Sequence, residues 1–119
     1  MDGDAGMIQL EQRLFGYPIQ VTAHRLDRGV HVLVTGGQQS HVGAISIAEP
    51  GQTPETRVFP GHKDQFIAEP WAEALAGTVG ERAVVACGIH YDHATSEQIA
   101  EILAAADILL TELLDRLKA

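Results

Sequence analysis

Three histidines stand where a regular element meets a glycine-containing turn. They are His41 in His41-Val42-Gly43, His62 in Pro60-Gly61-His62-Lys63-Asp64, and His90 in Gly88-Ile89-His90-Tyr91-Asp92. A rigid element that ends at such a junction holds a side chain at the rim of the fold, where binding and chemistry occur. Neutral imidazoles and carboxylates are what a divalent metal binds, usually three or four together at about 2.0–2.2 Å for zinc. His90 and Asp92, alternate residues of extended chain, point the same way and can supply two ligands, with His62 or His41 adding more. The spacing matches neither HExxH nor paired CxxC. On spacing alone, capping and hydrogen-bonding roles compete on equal terms with metal ligation.

A second constellation suits an anion. Gly36-Gly37 can present backbone amides, Gly61 lets the chain approach a ligand closely, and Lys63 adds a charge just before an expected helix N-terminus at Asp64. Together the motifs are expected to form one small polar site for an anionic ligand with a metal. The sequence lacks GxGxxG, GxxxxGK[ST] and GxSxG, so dinucleotide-binding, P-loop and nucleophile-elbow folds are unsupported. Ser40 and His41 are neighbours whose side chains point apart in extended chain, a poor start for a Ser/His hydrolase. His24 and His31 fall inside expected strands and are read as ordinary strand residues.

Composition narrows the classes further. At 119 residues, 45% hydrophobic and 20% charged, the chain suits one soluble domain with one core, expected over residues 8–119 behind a loose lead at 1–7. That lead, Met1-Asp2-Gly3-Asp4-Ala5-Gly6, lacks the basic region and apolar run of a secretory signal, and the apolar runs fall short of the roughly 18 residues that cross a bilayer. A formal charge of -8 argues against nucleic acid, whose binding needs many Lys and Arg contacts to phosphate. The single cysteine, Cys87, lies in Ala83-Val84-Val85-Ala86-Cys87 and reads as a small buried hydrophobe in a protein of the reducing cytoplasm.

The elements that must position these residues follow from periodicity. Residues 8–15, 18–26, 30–35 and 42–47 read as successive antiparallel strands separated by Gly16, Asp27-Arg28-Gly29 and the segment 36–40, with a short extended piece at 57–59. Helical spacing takes over from Asp64 to Leu75, where Pro70 is expected to kink the helix or open it at a first position, and Gly77 and Gly80 end it. Residues 82–87 form a buried strand. Thr95 and Gln98 then make a capping box for a long helix carrying Ile99, Leu103, Ala106, Leu110, Leu113 and Leu117 on its apolar stripe, with Arg116 and Lys118 near its end. The order predicts an α+β domain, a mostly antiparallel sheet covered on one face by two helices. The strip Leu109, Leu110, Leu113, Leu114 and Leu117 is broad enough to cover the sheet and leave an apolar edge, from which a homodimer is expected.

The run His31-Val32-Leu33-Val34-Thr35-Gly36-Gly37, followed by the motifs at His41, His62 and His90 and by Tyr91-Asp92-His93-Ala94-Thr95, resembles the LpdD-like family across roughly residues 30–117. Members of that family, long labelled the small D subunit of gallate decarboxylase, are described as prenylated-flavin chaperones. The resemblance implies a non-catalytic carrier that binds prenylated FMN and delivers it to a UbiD-type decarboxylase, with a flavin prenyltransferase as a further partner. It implies His41, His62, Lys63, His90 and Asp92 as the candidate site; with the glycines read above, Gly36, Gly37, His41, Gly61 and Lys63 are expected to bind the cofactor and His62, His90 and Asp92 to ligate a divalent metal that bridges protein and phosphate. His93 stands where the family carries asparagine, either as an added ligand or as a simple polar residue. Two competing readings are a metal-dependent accessory or catalytic subunit of a gallate-type decarboxylase, and a structural interaction domain.

Overall fold

Alternation of side chains writes the sheet. In β3 (Gly29–Gly37), Val30, Val32 and Val34 are buried while His31 and Leu33 are exposed, and β2 (Tyr17–Leu26) buries Ile19, Val21 and Ala23 on the same face. The computed structural model describes residues 6–60 and 63–118. It adds β1 (Met7–Leu14), β4 (Ala44–Ala48), β5 (Glu55–Val58), α1 (Gln65–Val79), β6 (Ala83–His90) and α2 (Ser96–Lys118). Most of the expected N-terminal lead falls outside the described residues, and β1 begins at Met7, inside it.

The six strands form one sheet in the order β1-β2-β3-β6-β4-β5, with both helices on one face around a single apolar core. One expectation about pairing needs correction. Successive strands do pair through β1, β2 and β3, but β3 and β4 are separated by β6, which runs parallel to β3 and antiparallel to β4. The segment after β3 is therefore no hairpin. It crosses the end of β6, with Gln38 N–H donating to the His90 carbonyl at 2.8 Å and Gly43 N–H donating to that of Cys87 at 2.9 Å. Cys87 itself is fully buried, as its apolar neighbours indicated.

Pro70 does not open α1 but lies inside it. The helix runs through from Gln65 to Gly80, whose left-handed backbone (φ 71°) closes it, and Gly77 lies inside it. Proline there removes one backbone hydrogen bond on an exposed face, while Ile67, Ala68, Trp71, Ala72, Leu75 and Ala76 bury the opposite face continuously. That burial outweighs the loss. The capping box of α2 is present as expected, with Gln98 N–H donating to Thr95 Oγ1 at 3.1 Å and Thr95 N–H donating to Gln98 Oε1 at 2.9 Å.

The buried stripe of α2 differs from the expected one. Ile102, Ala105, Ala106, Leu109, Leu113 and Leu117 are buried, whereas Ile99 and Leu103 stay 45% and 38% exposed. Leu110 and Leu114 pack half-buried against the core, so the leucine strip serves the chain's own sheet. Replacing Pro70 by Ala should stabilise the fold by about 1–2 kcal/mol, the interior-helix penalty of proline less its restraint on the unfolded chain. Urea denaturation measures it, and an unchanged or lowered midpoint would contradict this account of α1.

Candidate functional site

At the C-terminal end of β6 the start of α1 and the first turns of α2 enclose a cavity of about 450 Å³. Its apolar wall is Phe66, Ile67, Ile89, Ile99, Ile102 and Leu103, and Lys63, Asp64, His90 and Tyr91 lie around it. The volume falls within the range of small-molecule sites, which pair an apolar lining with a few placed polar groups. Phe66, at 62% exposure, leaves much of its ring to solvent at the rim.

Asp64 holds the polar side of this site together. It is the N-cap of α1, yet its carboxylate makes no side-chain cap bond. Instead Oδ2 accepts from His41 Nε2 at 3.0 Å and Oδ1 accepts from Ile89 N–H at 3.0 Å, while the Cys87 thiol points at Oδ1 from 3.9 Å. Burial pushes the Cys87 thiol far up from its ordinary value, and the neighbouring Asp64 charge adds to that. The Phe66 amide donates to the Lys63 carbonyl and the Ile67 and Ala68 amides to that of Asp64, so the positive charge at this edge is the exposed Lys63.

The expected histidines converge in part. His41 is half-buried, with Nδ1 lying 3.3 Å from the Gln39 carbonyl, and its ring centre sits 6.5 Å from that of His90. His90 Nε2–H donates to Asp92 Oδ1 at 2.7 Å, and Asp92 N–H donates to Gln38 Oε1 at 2.8 Å. Gly61 and His62 lie outside the described residues. Among the described residues no group of three or more His, Cys, Asp and Glu side chains is placed to hold a metal ion.

Gly36 and Gly37 end β3 away from the cavity lining. Gly37 has a left-handed backbone (φ 82°), and a Cβ there would collide with the His90 carbonyl, just as one on Gly88 would collide with that of His41. These close approaches bring the loop over residues 38–43 down onto β6. His93 adopts a left-handed backbone with φ 54°. That conformation is uncommon for residues with a side chain, and asparagine, aspartate and histidine are enriched in it.

Several site residues had weaker signals in the sequence. Asp64 read only as a helix start, and Ile99 and Leu103 read as core. Tyr91 receives the ring edges of Phe15 and Tyr17 at centroid distances of 5.7 and 6.3 Å, which ties the β1–β2 turn to the cavity rim. Burial raises the Tyr91 hydroxyl from its ordinary value, partly offset by Arg13.

Asp64→Ala should cost about 1–3 kcal/mol by leaving the Ile89 N–H without its acceptor, and Asp64→Asn, whose amide oxygen can still accept, should cost less than half of that. Chemical denaturation separates the two, and equal losses would refute the acceptor role. Cys87 should resist iodoacetamide in the folded protein, because both burial and the scarcity of thiolate oppose alkylation. Modification at the rate of a free thiol would show that β6 opens readily.

Residues 13–118 match the family described as the prenylated flavin chaperone LpdD-like domain. The chain is 29% identical to Protein LpdD of Lactiplantibacillus plantarum over 109 residues, covering 87% of this chain and 80% of that protein. Its fold is similar to a chain in the crystal structure of a chaperone complex for yeast 20S proteasome assembly, with a TM-score of 0.64 at 16% identity over 93% of this chain and 96% of the other. With the match spanning β2 through α2, this chain belongs to the LpdD-like prenylated flavin chaperone family.

Proposed function

We propose that this chain is a non-catalytic carrier that holds prenylated FMN in the cavity beside β6 and passes it to a UbiD-type decarboxylase. The observation that carries this reading is the pairing of an apolar wall with Lys63 and His90 in one cavity of about 450 Å³. A prenylated isoalloxazine is a broad, mostly apolar plate, and Phe66, Ile67, Ile99, Ile102 and Leu103 offer it a matching wall. The phosphate needs a charged donor, which Lys63 at the cavity edge provides. Local donors of this kind let a chain of net charge -8 bind one anion. The exposed rings and side chains at the rim, Phe66, Ile99 and Leu103, give a receiving enzyme an apolar surface to cover during transfer.

A divalent metal has an auxiliary place in this reading. His90 and Asp92 already bond each other, so a metal would need His62 to complete its ligands, and the cavity wall and Lys63 act without one. The flavin prenyltransferase is the source of the cargo.

Anaerobic titration with reduced prenylated FMN should give saturable binding in the presence of a chelator, strengthened when a divalent metal is supplied. Leu103→Glu should weaken binding at least tenfold, or about 1.4 kcal/mol, and Lys63→Ala should weaken it about threefold to tenfold and reduce its dependence on salt. An apo-decarboxylase should gain activity faster from the loaded carrier than from free cofactor. Absence of binding with and without metal would sink the proposal. Turnover of a phenolic acid by this chain alone would favour the decarboxylase-subunit reading.

A further inference from the structure

The hairpin between β1 and β2 turns on a residue that turn chemistry does not select. Leu14 pairs with Tyr17, which leaves Phe15 and Gly16 as a two-residue loop, and both have left-handed backbones, with φ of 53° and 81°. Positive φ at both positions is the signature of a type I′ turn, whose first place belongs to asparagine, aspartate or glycine. Phe15 is none of these. Among the described residues only Phe15 and His93 combine a side chain with such a backbone, and for a bulky ring the conformation is a true outlier. Strain of that kind persists only where surrounding contacts over-determine it.

The contacts are aromatic and lead to the cavity. The Phe15 ring meets that of Tyr91 at 90° with centroids 5.7 Å apart, and Tyr17 meets it at 75° and 6.3 Å, both favourable edge geometries. The Tyr91 hydroxyl donates to the Tyr17 carbonyl at 3.3 Å, and Arg13 Nη2–H closes the turn by donating to the Gly16 carbonyl at 2.7 Å. On either side of Tyr91 the backbone is tied to one residue, since Gln38 N–H donates to the His90 carbonyl and Gln38 Oε1 accepts from Asp92 N–H. The loop after β3 thus fixes the Tyr91 backbone, and the hairpin fixes the direction of its ring, which lines the cavity. The core does not require an aromatic at this place. Phe15 stays 39% exposed.

We propose that Phe15 is a positioning residue, whose unfavourable turn is retained because its ring holds Tyr91 as a fixed wall of the cavity and so preorganises the site for the flavin plate. The role rests on the flavin-carrier reading. A wall already in place need not be ordered on binding, which is worth roughly twofold to tenfold in affinity for one side chain.

Phe15→Asn separates the turn from the ring, because asparagine suits the left-handed position and carries no aromatic edge. It should leave the urea midpoint unchanged or raised and weaken binding of reduced prenylated FMN about threefold to tenfold, while Phe15→Tyr should bind as the wild type does. In a Tyr91→Ala background, Phe15→Asn should have no further effect on affinity, since the two residues act as one. A lowered midpoint accompanying the loss, an unchanged affinity, or a full further loss in the Tyr91→Ala background would overturn the proposal. A second probe, the dye anilinonaphthalene sulfonate, pairs fused aromatic rings with one anionic group, and Phe15→Asn should weaken it by a similar factor. Wild-type protein that binds the dye but not prenylated FMN would sink the carrier reading and leave the dye to decide the role of Phe15. Binding of neither would overturn both.

Discussion

A carboxylate taken almost wholly out of water has to find donors, and Asp64, at 6% exposure, finds them on segments far apart in sequence. It receives His41 from the loop after β3 and the amide of Ile89 from β6, while its own backbone opens α1. Burying a charge without such partners costs several kcal/mol, so these contacts form together or not at all. Three pieces of the site are thereby held in one arrangement. The carboxylate is turned toward β6 and does not cap its own helix, whose first amides are taken by the Lys63 and Asp64 carbonyls instead.

The insertion of β6 between β3 and β4 is the second constraint. A parallel partner for β3 requires a crossover, which α1 supplies, and it carries the end of β6 to the mouth of the cavity. The same insertion makes β6 the strand on which both faces of the protein depend. Its helix-facing residues complete the core, its last residues line the cavity, and its outward residues form the middle of the sheet face opposite the helices.

A single layer of helices covers only one face of the sheet. Both helices bury their apolar stripes on one side of the sheet, and the strip of leucines on α2 is taken up there. Leu33, Val84, Ala86, Ile45 and Ile47 lie on the other side, away from both helices.

The sequence by itself determined what depends on neighbours along the chain. Alternation in β2 and β3, the capping box of α2, the burial of Cys87 and the mostly antiparallel α+β class were all legible, because strand and helix periods act over a few residues. The approach of His41 and His90 at junctions was legible in kind, and the motifs made the family legible. What the tertiary structure decided depends on contacts between distant segments. No local pattern says that β6 slips between β3 and β4, that Pro70 is tolerated inside α1, or that Ile99 and Leu103 stay exposed at a cavity rim. Asp64 is the plainest case: its residue type announced a helix start, and only its burial among His41, Cys87 and Ile89 made it the centre of the site.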